Sequence, residues 1–400
     1  MVAFQDKFTI FGILGFRALG DFVAAVTVCA YVKRKKRDSI LLVYAQDDRP
    51  YKRQVLELCP DIDDKALVTG PGIPLDWLDI SGENPNAAPQ VFVDKGFAHA
   101  DFVLGPKMIM DINYGAGSEF FRCLQFPEEM AEELRGELIA AGVSPDRWIV
   151  TTHVRQEGYK YRQIDGPNPV RAVDPENYFR LADYIIDELG GQVVCLGSPN
   201  MAPPPARSHL IDLSREEDNF LLQAYALSRS RFLVATDSGV LTVGNALGVP
   251  FTAMDLAILA HVTDDQGFRF FHDQHALLTR LICYEDNVPR DAGKLGKATR
   301  FGHIVMFDNT VEELCAVTDH MMEMTDDCQG WRDNYVEGTI EASDSLTYPM
   351  VSPPPTFNWF KPPWWERDPE LAEHLRKAPP LTTRQENGSL VIEPIAEPGG

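Results

Sequence analysis

The chain has 400 residues, 44% of them hydrophobic and 24% charged, with a formal net charge of −22. That balance fits a globular protein of about two to three domains with sizeable cores. It excludes DNA or RNA as the main partner, because there is no surplus of cations to displace the counterions of a polyanion.

The first predicted element is a buried strand, "KFTIFGIL" (7–14). Gly15, Gly20 and Asp21 follow it. Asp21 reads as the N-cap of a helix over 22–36, and "SILLVYAQ" (39–46) as the next strand. Such a β-α-β unit implies a parallel sheet. Residues 49–59 read as helix, 65–70 and 89–96 as strands, and 127–142 as a helix with an early Pro, early acids and a terminal Gly. A second α/β run then begins. Its strands are 147–155, 192–197, 209–214, 231–236 and 249–255. Its helices are 174–191, capped by Asp174, then 218–230, 239–248 and 309–324.

The expected division is therefore 1–145, 146–345 and a tail over 346–400. In the tail, "YPMVSPPPTFNWFKPPWWERDP" is too rich in Pro for a regular element. Its Trp359, Trp364 and Trp365 call for a surface to lie on, and the last residues are expected to be disordered. The seven cysteines (Cys29, Cys59, Cys123, Cys195, Cys283, Cys315 and Cys328) lack paired C-x-x-C spacing. They read as reduced thiols of a cytoplasmic protein, not a disulfide frame or zinc site. No run reaches the roughly 18 apolar residues of a membrane span. "KRKKR" (33–37) suits a helix C-terminus, where cations complement the dipole; the alternative is contact with anionic lipid at the inner face of a membrane.

Three stretches sit where parallel sheets bind ligands, at carboxyl ends of strands facing helix starts. The first holds Gly15, Gly20 and Asp21. Its carboxylate is either a cap or a general base in a cleft. The fingerprint G-x-G-x-x-G is absent, so a dehydrogenase loses its best support. The second, "TTHVRQEGYKYRQ" (151–163), carries His153, Arg155, Lys160 and Arg162. Alternation puts His153 and Arg155 on one strand face. Arg and Lys suit phosphate contacts; the plainer reading is a solvated loop. The third, "FLVATDSGVLTVGNALGVPF" (232–251), carries Thr236, Asp237, Ser238 and Gly239 at a helix start that would attract an anion. A cap alone would need one such residue, Asp237 or Ser238.

Together the three stretches resemble bacterial surface-glycan glycosyltransferases of the GT-B fold, over residues 8–46 and 147–256. "LGD" and "ATDSGVLTVGNALGVP" are similar to the heptosyltransferase group. That likeness makes Asp21 the proposed base and the second motif the holder of the donor diphosphate. Thr242 stands where that group usually has a His. "HVRQEGYK" resembles the H-x-R motif of GDP-fucose-dependent transferases, whose Arg, here Arg155, holds the donor β-phosphate. The resemblance implies α/β architecture, two Rossmann-like domains facing a cleft. It implies a nucleotide-sugar donor, a GDP-sugar slightly favoured, and a glycan, lipid-linked or protein acceptor. The candidate loops contain no D-x-D motif, so the leaving diphosphate is expected to be neutralised without metal or cofactor. Two alternatives stay open: a sugar-nucleotide 2-epimerase of the same fold, and a non-catalytic module of a glycan-assembly complex with a protein partner.

Overall fold

A computed structural model describes residues 7–69, 100–115, 122–156, 171–256, 276–284, 298–301, 304–325, 381–386 and 389–394. The expected strand over 89–96, Lys160, Arg162 and the Trp-rich part of the tail lie outside them.

Two parallel sheets organise the chain. The first has the order β3 (Asp64–Val68), β2 (Ser39–Gln46), β1 (Phe8–Leu14), β4 (Phe102–Leu104). The second has the order β10 (Ala276–Thr279), β9 (Phe251–Leu256), β8 (Phe232–Thr236), β5 (Ile149–His153), β6 (Gln192–Cys195), β7 (Leu210–Asp212). The inner strands are buried almost throughout, which is why they read as unbroken apolar runs. The helices among the described residues are α1 (Leu19–Lys35), α2 (Pro50–Leu58), α3 (Pro106–Gly115), α4 (Glu128–Ala140), α5 (Glu176–Asp187), α6 (Phe220–Ser228), α7 (Gly239–Ala246) and α8 (Val311–Met324). The architecture is α/β, two Rossmann-like units in succession. Sequence reading passes over an antiparallel sheet of order β11 (Leu281–Tyr284), β13 (Ile304–Phe307), β12 (Ala298–Phe301). It also passes over a hairpin in the tail, β14 (Leu381–Glu386) with β15 (Ser389–Pro394).

Helix α1 is buried continuously from Phe22 to Val32. A helix apolar on every side belongs inside a protein. It packs on β1 and β2 of its own half and on α7 of the other. One core cluster therefore runs from Ile10 and Leu14 through Val26 and Cys29 to Leu233, Leu241 and Ala246. Burying side chains such as Phe22 or Val26 contributes about 1.5–3 kcal/mol each. Residues 123–125 fasten the same seam. The N–H groups of Cys123 and Leu124 both donate to the Ala246 carbonyl, at 3.0 and 2.9 Å, while that of Gln125 donates to Leu58 at 2.8 Å. Helix α4, on the N-terminal side of the expected boundary, packs on α6, with Phe126 edge-on to Tyr225 at 5.3 Å between centroids.

The cations at the end of α1 are tied to acids before β3. Lys33 pairs with Asp63 at 2.6 Å, and Arg34 with Asp61 at 2.9 Å. Among the described residues, no helix is long and apolar enough to cross a membrane.

The start of α1 corrects one expectation. The helix begins at Leu19, not at 22; Ala18 occupies the N-cap and makes no side-chain cap bond. Asp21 lies in the first turn and is exposed. Gly20 is thus a helical residue, where glycine costs about 1 kcal/mol relative to alanine. The reason is its neighbour. A Cβ on Gly20 would lie 2.6 Å from the Cα of Gly239, and one on Gly239 would lie 2.7 Å from the backbone nitrogen of Gly20. Backbone meets backbone there, so no side chain can swing aside. Gly20→Ala should lower stability by about 1–3 kcal/mol, the usual cost of overpacking. Thermal unfolding measures it; an unchanged melting temperature would show that the two helix starts are not in contact.

Candidate functional site

The glycine contact brings two of the three sequence stretches together. Asp21, in the first turn of α1, stands one residue from the point where the start of α7 touches it. Ser238 occupies the N-cap of α7 with an extended backbone, but its side chain makes no cap bond. Its Oγ is buried and has no hydrogen-bond partner among the described residues, and the residue is 6% exposed. A buried hydroxyl without a partner at a helix start is an open polar position. Gly239 and Thr242 are half-buried along α7. Gly15, at the end of β1, is exposed, and its N–H turns back to the Ile13 carbonyl at 3.2 Å.

The second stretch joins them through the neighbouring strands. β5 and β8 pair in parallel, with His153 beside Ala235. Thr236 is not exposed to a ligand. It is 1% exposed, and its Oγ1 accepts from the backbone N–H of Arg155 at 2.9 Å, so it places the Arg155 turn. Arg155 itself is 6% exposed. His153 is buried, and burial, aided by the charge of Arg155, pushes its pKa down to about 4. It is therefore a neutral imidazole at physiological pH.

Asp237 is neither the cap of α7 nor an open carboxylate. Arg171 holds it, donating from Nε and Nη2 to the Asp237 carbonyl at 3.1 and 2.9 Å and from Nη2 to Oδ1 at 3.0 Å. Arg171 Nε also lies 2.9 Å from Oδ2. Nothing local in the sequence marks Arg171, whose partner is 66 positions away. The segment behind it is anchored as well. Val173 N–H donates to the Arg155 carbonyl at 2.9 Å, and Arg280 Nη2 to the Ala172 carbonyl at 2.7 Å.

Arg280 is completely buried and ion-paired with Asp308, with Asp255 at 3.6 Å. Asp255 adopts φ of +53°, an uncommon angle for a residue with a side chain. Its carboxylate accepts from the Tyr178 hydroxyl and the Asn309 N–H, each at 2.6 Å. Burial raises its pKa to about 6 against the pull of Arg280. Through Ala172 and Val173 this network is tied to the segment that carries Arg171. Beside β5 and β6 a shallow cleft is lined by Thr152, Gln156, Tyr178, Cys195, Met201 and Ser214. Among the described residues, no group of three His, Cys, Asp or Glu side chains is placed to hold a metal ion.

No family model matches the sequence, and no curated protein does. Solved structures do. A glycosyl transferase family 9 protein from Veillonella parvula superposes with a TM-score of 0.51 at 16% identity, over 80% of this chain and 98% of that one. The chain has that fold. Two further GT-B structures are similar. ADP-heptose LPS heptosyltransferase II of E. coli has a TM-score of 0.47 at 14% identity, over 80% and 99% of the two chains. The E. coli heptosyltransferase WaaC with ADP has 0.40 at 9%, over 79% and 99%.

His153 gives the site a pH signature. Between the ordinary value of 6.5 and its own value of about 4, the unfolded chain takes up a proton that the folded chain refuses. Its contribution therefore grows as pH rises through that window and shrinks as pH falls. Relative to His153→Gln, the wild type should gain up to about 3 kcal/mol between pH 4 and 6.5, read by urea unfolding at stepped pH. A pH-independent difference between the two proteins would mean that His153 titrates normally.

Proposed function

We propose that this chain is a glycosyltransferase that moves a sugar from a nucleoside-diphosphate donor to an acceptor hydroxyl. The observation that carries the reading is the contact of Gly20 with Gly239, which brings the first turn of α1, where Asp21 is exposed, to the Ser238–Gly239 helix start. An acid and a helix start belonging to different halves are thereby neighbours.

The chemistry is displacement at the anomeric carbon. The acceptor oxygen attacks as Asp21 takes its proton, and the bond to the diphosphate breaks. Charge accumulates on the leaving diphosphate. The free N–H groups at the start of α7, the Ser238 hydroxyl and Arg155 are donors suited to it. In this reading no metal is needed, and no cofactor besides the donor. A GDP-sugar is the first donor to test, and a glycan, lipid-linked or protein acceptor completes the reaction. Lys160 and Arg162 are further candidate phosphate contacts. Against the epimerase alternative stands Asp255, 2% exposed with both carboxylate oxygens engaged, and so withdrawn from any sugar.

Two measurements test the proposal. In a thermal-shift panel of GDP-, UDP-, dTDP-, CMP- and ADP-sugars, one donor class should stabilise the fold, by about 2.7 kcal/mol at a hundred times its Kd. No stabilisation by any of them would remove the donor reading. Asp21→Asn should then keep donor binding and melting temperature but lose transfer by about 10² to 10⁴-fold. Transfer at the wild-type rate would place the base elsewhere, and turnover to an epimeric sugar nucleotide without acceptor would favour the epimerase.

A further inference from the structure

The first half contains a buried cation that the chemistry above does not use. Lys52 is 1% exposed, one of the largest side chains wholly inside the protein. It lies in the first turn of α2, three residues after the N-cap Arg49, where the helix dipole opposes a positive charge. Burial opposes it too, because an apolar filling stabilises as much as a buried ion pair, or more. A residue disfavoured on both counts calls for a reason beyond packing. Its surroundings supply one. Nζ is 2.6 Å from Oδ1 of Asp48 and 5.2 Å from the centroid of the Phe22 ring. Asp48 follows the carboxyl end of β2, the strand beside β1, and Phe22 follows Asp21 in α1. Tyr51 ties the same two loops again: its hydroxyl donates to the Arg17 carbonyl, and its ring is edge-on to Phe22 at 6.3 Å. The loop that leads to Asp21 and the loop that carries Asp48 are thus fastened at two points on one edge of the first sheet.

We propose that Asp48 sets acceptor specificity, its Oδ2 accepting from a second hydroxyl of the sugar whose first hydroxyl meets Asp21, and that Lys52 is the positioning residue that holds it. The proposal rests on the transferase reading. The adjacent Asp47 is taken up by Arg53 at 2.7 Å. Asp48 keeps an open oxygen. Its side chain is 23% exposed, Oδ1 takes the ammonium, and Oδ2 has no hydrogen-bond partner among the described residues. An ionised carboxylate only accepts, so it suits a hydroxyl and repels a phosphate. Of the acceptors left open above, a sugar that presents two hydroxyls fits this edge best. The buried ammonium gives the carboxylate one orientation and compensates its charge, and the site gives up stability to have both.

The test uses the full chain, the donor returned by the thermal-shift panel, and p-nitrophenyl glycosides with their monodeoxy analogues as acceptors. Asp48→Ala alone would strand a buried ammonium, so the variant is Asp48→Ala with Lys52→Met, which removes both charges and keeps the lysine stem filled. Its melting temperature should equal or exceed that of the wild type. Its kcat/KM for the acceptor should fall about ten- to a hundredfold, the size of a lost charge-assisted hydrogen bond, with the KM for the donor unchanged. One monodeoxy analogue, lacking the hydroxyl that Asp48 binds, should serve both proteins equally. A lower melting temperature, or the same loss with every analogue, makes the pair a structural staple and overturns the proposal. Wild-type acceptor kinetics in the variant overturn it too. Transfer by the wild type to no plain glycoside overturns it while leaving the transferase reading intact, and failure of the wild type to bind any sugar nucleotide overturns both.

Discussion

The rest of the structure depends on the close approach of the backbones at Gly20 and Gly239. Any side chain at either position would strike main-chain atoms of the other half. The constraint reaches outward from there. It fixes where α1 may begin, and so places Asp21 in a first turn instead of at a cap. It fixes the spacing of α1 and α7, and so permits a core continuous across both sheets. The acid and the anion-attracting helix start are neighbours as a consequence of packing, before any ligand is present.

Around that contact the polar groups form successive layers. At the surface, Arg171 faces Asp237. Behind it the backbone of residues 172–173 is fixed to Arg155 and Arg280. Deeper still, Arg280 lies between Asp308 and Asp255, with Tyr178 and Asn309 completing the bonds of Asp255. Buried charges of this kind are expensive unless fully paired. Their presence under one turn of one loop argues that the position of that turn matters more than the stability a hydrophobic filling would give.

Much of the architecture was legible in the sequence for a simple reason. Strands covered on both faces are written as apolar runs, so β1, β2, β5 and β8 fell within a residue or two of their expected limits. The helix expected from Gly239 onward does begin there, with Ser238 at its N-cap. Legibility failed where meaning depends on distant partners. Asp21 looked like a cap because Asp is a good one, and only the presence of Gly239 explains why the helix starts earlier. Thr236 looked like a ligand contact, yet it serves the Arg155 backbone. Arg171 and Arg280 gave no signal, since each acts on a residue far along the chain, 66 and 108 positions away. The tail hairpin is a different kind of omission. Asn387-Gly388 between its strands is a strong local turn signal that the surrounding Pro-rich composition overshadowed.

The shared core also bears on heredity. Chains built from two separable lobes can exchange one lobe for another, acquiring a new acceptor side while keeping an old donor side. Here α1 belongs to the first half by sequence and to both halves by burial, and residues 123–125 are bonded to the ends of α2 and α7 at once. A transplanted first half would have to match α7 along its length and bring its own glycine to the crossing. Exchange of a whole half is therefore harder than a change in the loops at the sheet ends, because the seam between the halves leaves little freedom to vary.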